Sequence, residues 1–192
     1  DVITWDGGAG EYDEAFDVGT DGTFVFVVKI TRARKTWSTA AIGGTMVQLT
    51  VTQFDGATRA IVSTKTQTLS GYVYPKLLVY PTWGTLVITA AVPVSRAAIN
   101  TTTTAARVEL YTMTYTASGL NSFIAQAPTA RSVDCDWSDL AAFYATSGER
   151  YRPVVPYDVG KYGNDAFFLA VYSSRTNQVR FDRFDVTAGT LN

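Results

Sequence analysis

The chain has 192 residues, 46% hydrophobic and 17% charged, with a net charge of -1 and no His. That length suits one sizeable domain or two small ones, and the composition suits a globular core. Absence of His removes the Ser–His–Asp triad, the Cys–His pair and imidazole ligation of zinc, copper or iron, and the single Cys135 cannot form an internal disulfide or a thiolate cage.

The chain opens "DVITWDGGAGEYDEAFDVGTDGTF", with seven acids before its first base, Lys29. A helix–loop–helix calcium loop starting at Asp6 fails, because positions three and five are Gly8 and Gly10. Asp6, Glu11, Asp13 and Asp17 are weak candidates for an irregular cation site; the preferred reading of residues 1–14 is an acidic, glycine-jointed lead-in. The opening lacks the basic-then-apolar order of a secretory signal, though the segment can be a piece of a longer polypeptide. The glycines match neither phosphate-loop spacing nor GxGxxG. Lys29, Arg32, Arg34 and Lys35 follow, a short basic tract read as a solvated strand end rather than a nucleic-acid site.

Strands come next. Thr outnumbers Ser 28 to 11, and Val, Tyr and Phe are plentiful, the residues that fit a pleated surface. Phe24, Phe26, Val28 and Ile30 alternate with polar neighbours; so do Val47, Leu49 and Val51. In "GTLVITAAVPV" the residues Leu86, Ile88, Ala90, Val92 and Val94 share a face, with Pro93 marking an edge strand or a strand end. Further strands are expected near 58–68, 71–80, 105–117, 166–173 and 177–187. In the last, a bulge near Asp182 and Arg183 would bring Val179, Phe181, Phe184 and Val186 all inward. "GTDGT" at 19–23 and "QFDGAT" at 53–58 read as hairpin turns. One short helix is expected near 136–147, capped by Asp134 or Asp136 and stopped by Gly148. No apolar run is long enough for a membrane span. The prediction is a single all-β domain over 1–192, an antiparallel sandwich or jelly roll.

Chemistry-bearing patterns are sparse. Glu109, read as lying on a strand's outer face, and Glu149 have no diagnostic neighbours for a carboxylate-dependent glycosidase. Asp134, Asp136 and Asp139 suit a helix N-terminus better than a metal. Asn100 begins "NTT", a glycan acceptor pattern in a polar loop. "YATSGERYRPVVPYDVGKYG" interleaves Tyr144, Tyr151, Tyr157 and Tyr162 with Arg150, Arg152 and Lys161. Read as a stiff surface loop, these seven residues are the binding candidates, since Tyr and Arg dominate recognition hot spots; the competing reading is loop packing.

The Thr-, Ala- and Tyr-rich strands, the missing His and the near-neutral charge resemble a capsid domain of a small non-enveloped RNA virus. "YRPVVPYDVGKYGNDAFFLAVYSS" and "PTWGTLVITAAVPVS" are similar in character to late strands of picorna-like coat subunits, and to the projecting domains of some plant and insect virus coats. The resemblance implies a non-enzymatic β-sandwich at the virion outer surface, self-association or contact with other capsid subunits, attachment to a host receptor or glycan, and no cofactor. The missing basic N-terminal arm departs from the shell pattern, so direct nucleic-acid contact is not expected. The alternatives are an extracellular carbohydrate-binding β-sandwich module and a carboxylate-dependent enzyme.

Overall fold

The computed structural model describes residues 11–33, 46–70, 75–92, 105–126, 133–136, 157–173 and 178–192. They form three antiparallel sheets. The first is the meander β1 (Glu11–Thr20), β2 (Phe24–Ala33), β3 (Met46–Asp55) and β4 (Ile61–Ser70). The middle sheet has the order β10-β7-β6-β5, from β5 (Pro75–Tyr80), β6 (Thr85–Val92), β7 (Ala105–Thr116) and β10 (Val133–Asp136). The two-residue strands β8 (Gly119–Leu120) and β9 (Ile124–Ala125) also pair with β7. The third sheet is the meander β11 (Tyr157–Tyr162), β12 (Ala166–Ser173), β13 (Gln178–Thr187) and β14 (Thr190–Leu191). The expected all-β antiparallel sandwich is present. Its outer sheets follow chain order, so they lack jelly-roll interleaving.

Period-two alternation builds two cores. Phe26, Val28, Ile30, Leu49 and Val51 of the first sheet pack on Leu77, Val79, Leu86, Ile88 and Met113 of the middle sheet. On the opposite face, Tyr80, Val87, Val108 and Leu110 pack on Phe167, Leu169, Val171, Phe184 and Val186 of the third. β6 therefore differs from a strand with one wet wall: Leu86, Ile88 and Ala90 enter one core and Val87 the other. Its buried Thr85 and Thr89 keep their hydroxyls satisfied. Thr85 Oγ1 donates to the Trp83 carbonyl at 3.0 Å and accepts from Gly189 N–H at 3.1 Å, and Thr89 Oγ1 meets the Tyr157 hydroxyl at 3.3 Å. Such partners are what let polar groups be buried at tolerable cost.

The turns obey local chemistry. Asp21 Oδ1 accepts from Thr23 N–H at 2.8 Å and Phe24 N–H at 2.7 Å, and Gly22 takes φ +93°. In the β3–β4 turn, Asp55 Oδ1 accepts from Thr58 N–H, from the Thr58 hydroxyl and from Ala57 N–H, which together hold its carboxyl below the usual range. Arg59, not Gly56, has the positive φ there. Gly56 is required by space: an added Cβ would lie 2.6 Å from the Thr23 carbonyl oxygen.

Several expectations are corrected. β1 begins at Glu11, so residues 11–14 of the supposed lead-in are strand. Asp134 does not cap a helix; it lies in β10, in register with Arg107 of β7. Asp136 ends that strand, and the rest of the expected helix lies outside the described residues. β6 ends at Val92, immediately before Pro93, and is flanked by β5 and β7, which leaves the strand-end reading of that proline. Glu109 shares the first-core face of β7 with Tyr111, half-buried, and its carboxylate accepts the Tyr111 hydroxyl. The β13 bulge is absent: the β12–β13 register runs unbroken from Ala166↔Asp185 to Ser173↔Gln178.

Candidate functional site

The absence of that bulge creates the main surface feature. With strict alternation, Phe184 and Val186 enter the second core while Val179, Phe181, Arg183 and Asp185 face outward. On β12, Phe168 and Ala170 share that outer face; on β11, so do Asp158, Gly160 and Tyr162. Phe181 is 66% exposed, Tyr162 55%, Val179 49% and Phe168 38%.

Tyr162, Phe168 and Arg183 are linked by ring contacts. The Tyr162 and Phe168 rings meet edge to face, with centroids 5.4 Å apart. Arg183 Cζ lies 5.5 Å from the Tyr162 ring centroid, and its Nε and Nη2 donate to Asp185 Oδ1 at 3.1 and 2.9 Å. An exposed cation–π contact of this kind contributes about 0.5–1 kcal/mol, and the surface ion pair no more than about 1 kcal/mol. Together they hold Arg183 between the Tyr162 ring and the Asp185 carboxylate. Phe181 sits opposite Ala170, one diagonal step from Phe168. Gly160 sits opposite Phe168 and leaves open space where a Cβ would stand. Small residues among large ones leave the aromatic rings standing out from the sheet.

Of the seven binding candidates, Tyr162 joins this face. Tyr157 and Lys161 are on the same strand but of opposite parity: Tyr157 turns inward, and Lys161, itself exposed, reaches across to β5. Tyr157 packs against the second core, its hydroxyl 3.3 Å from both Thr89 Oγ1 and the Thr89 carbonyl, and burial pushes its phenol pKa up. Lys161 Nζ donates to the Val79 carbonyl at 2.9 Å and lies 4.9 Å from the centre of the Tyr80 ring. So the described part of the expected loop is strand β11. Tyr144, Arg150, Tyr151 and Arg152 lie outside the described residues, as do Asn100, Asp139 and Glu149.

The acidic stretch does not converge where it is described. Asp17 ties β1 to β5, its Oδ2 accepting Leu77 N–H at 2.8 Å. Glu11 and Asp13 are in register with Ala33 and Thr31 of β2, and Asp6 lies outside the described residues. Among the described residues no group of three or more His, Cys, Asp or Glu side chains is placed to hold a metal.

Phe168, Phe181 and Arg183 are not among the seven binding candidates, and Phe181, expected to turn inward, is exposed. The signal was the repeated Arg-x-Asp in "VRFDRFDV". Residues two apart share a face, so Arg180–Asp182 and Arg183–Asp185 are same-face ion pairs. Arg180 Nε and Nη2 donate to Asp182 Oδ1 at 3.2 and 3.0 Å, which gives the inward-parity Asp182 a charged partner within an unbroken register, while its buried Oδ2 has no hydrogen bond.

No family model matches the chain, and neither a curated protein nor a solved structure is found to match it.

Proposed function

We propose that the chain is a non-enzymatic structural and recognition domain of the kind found in the coat of a small non-enveloped virus, acting in particle assembly and host attachment. The observation that carries this reading is the outer face of the third sheet. Tyr162, Phe168 and Phe181 stand exposed on one face of a paired sheet, with Arg183 beside the Tyr162 ring. Aromatic and Arg side chains dominate binding energy at protein interfaces, and a preformed face loses little freedom on binding. An exposed sheet face also suits contact with a large partner. The test is binding of the labelled chain to a panel of cultured cells. Phe181→Arg should weaken saturable binding at least about tenfold, the cost of one lost hot-spot side chain. Absence of saturable binding to any cell type, together with a monomer at every concentration, would contradict the reading.

A carbohydrate-binding module is the second reading. It is favoured by the pairing of exposed rings with the Arg183–Asp185 hydrogen-bonding pair at their edge. A sugar stacks its apolar face on a ring while its hydroxyls meet such groups. Glycan-array binding lost with Tyr162→Ala and Phe181→Ala would select it; an empty array would remove it.

A further inference from the structure

We propose that β4 is a self-pairing edge, joining the first sheets of two copies into one continuous eight-stranded sheet about a twofold axis at Thr66. This deepens the assembly half of the function proposed above and rests on it.

An unpaired sheet edge is a template for another strand, so proteins usually blunt their edges. Here most are blunted. β1 is interrupted by a register shift between Asp13 and Ala15, and it is tied to β5 through the Leu77–Asp17 bond. β5 opens with Pro75. β10 has four residues and β14 two. β11 sends Lys161 back to the Val79 carbonyl of β5. β4 is different. It is ten residues long, without Pro or Gly and with one charged side chain, Lys65. It is the terminal strand of its sheet, and among the described residues no strand pairs with its far side. Thr64, Lys65, Thr66, Gln67 and Thr68 are all exposed.

The sequence of that edge says which partner fits. "TKTQT" is near-palindromic about Thr66. Antiparallel pairing about that residue sets Thr66 against Thr66, Thr64 against Thr68, and Lys65 of each copy against Gln67 of the other. No like charges meet. A two-residue slip in one direction opposes Lys65 to Lys65; in the other it loses one of the three Thr–Thr pairs. The pairing also continues rows already present in the sheet. Thr50 and Thr66 hydroxyls lie 3.3 Å apart, and so do those of Thr64 and Thr52. Cross-strand Thr pairs and opposite charges stabilise a sheet, and like charges directly opposite destabilise it.

The experiment is sedimentation of the whole chain over a range of concentrations, with charge variants and cysteine crosslinking. The wild type should show a concentration-dependent dimer. Gln67→Lys places two Lys–Lys contacts across the axis and should weaken it roughly 2- to 30-fold; Gln67→Glu places two Lys–Glu contacts there and should tighten it by a similar factor. In a Cys135→Ser background, Thr66→Cys should crosslink to a dimer on mild oxidation, because directly opposed strand residues are about 4.5–5.5 Å apart at Cα, within disulfide reach. Thr64→Cys should not, since four residues of strand, roughly 13 Å, separate the two thiols. A monomer at all concentrations would overturn the proposal, as would equal crosslinking at the two positions. A dimer insensitive to both Gln67 variants but lost in Phe181→Arg would also overturn it, while leaving assembly through the aromatic face standing.

Discussion

Gly56 sits where the β3–β4 turn meets the β1–β2 turn. "FDG" announces a turn, and the turn is there, with Asp55 gathering the N–H groups. The positive φ belongs to Arg59, and Gly56 instead makes room for the Thr23 carbonyl of the neighbouring turn, to which its own N–H donates at 2.9 Å. Dipeptide chemistry is local and was legible; contact between two turns more than thirty residues apart was not. Gly56→Ala should cost about 1–3 kcal/mol, because the obstructing atom is backbone and cannot swing away; urea denaturation measures it. Tyr80 gives a second residue-scale prediction. Its buried hydroxyl donates to the Ala166 carbonyl at 2.7 Å, and burial, then the Asp165 charge, raise its pKa. Above the ordinary phenol value of 10.0 the unfolded chain releases this proton while the folded one keeps it. The stabilisation is thus complete below pH 10 and declines as pH rises beyond it. Tyr115 and Tyr157, raised first by burial, act in the same direction. Tyr80→Phe should flatten the alkaline decline by up to about 1.4 kcal/mol per pH unit. At neutral pH it should cost about 1–3 kcal/mol, because the Ala166 carbonyl loses its donor. Denaturation midpoints between pH 9 and 12 test both signs.

At the scale of elements, β11 and β13 separate what alternation reveals from what it leaves open. Strand β12 falls at 166–173 as expected, and β13 at 178–187 lies within the expected span, because apolar β-formers define such segments. Which face they bury depends on whether alternation continues unbroken. In β13 the four apolar residues split by parity, and the bulge that would have united them is replaced by two ion pairs and an exposed Phe181. In β11 the Tyr and Lys residues looked like one recognition loop, yet parity sends Tyr157 inward, Lys161 across to β5 and Tyr162 outward. The consequence is measurable. Phe184→Ala, in the second core, should cost about 3–5 kcal/mol. Phe181→Ala should change stability by no more than about 0.5 kcal/mol, since the side chain is largely in water. Equal losses in chemical denaturation would mean that both rings are buried and that the aromatic face does not exist.

The whole molecule stacks three sheets around a shared middle layer, an arrangement that no single strand's pattern announces. "TLVITAAV" carries both an alternating apolar row and, between its members, Thr and Val that suit a solvated face equally well. Only a second partner sheet buries them, and that partner comes from the last third of the chain. The middle sheet therefore belongs to both cores, and mutations in either should lower one common transition. Val87→Ala and Ile88→Ala, neighbours in sequence but in opposite cores, should shift the same cooperative unfolding curve, each by about 1–4 kcal/mol. Near-UV and far-UV circular dichroism would resolve two transitions if the cores melted separately. The stacking itself is tested most directly by amide hydrogen exchange. β6, paired on both edges and covered on both faces, should exchange slowest in the chain and only through global unfolding, while the edge strand β11 exchanges orders of magnitude faster. If β6 exchanged as fast as β11, one of its faces would be open to water and the three-layer account would be contradicted.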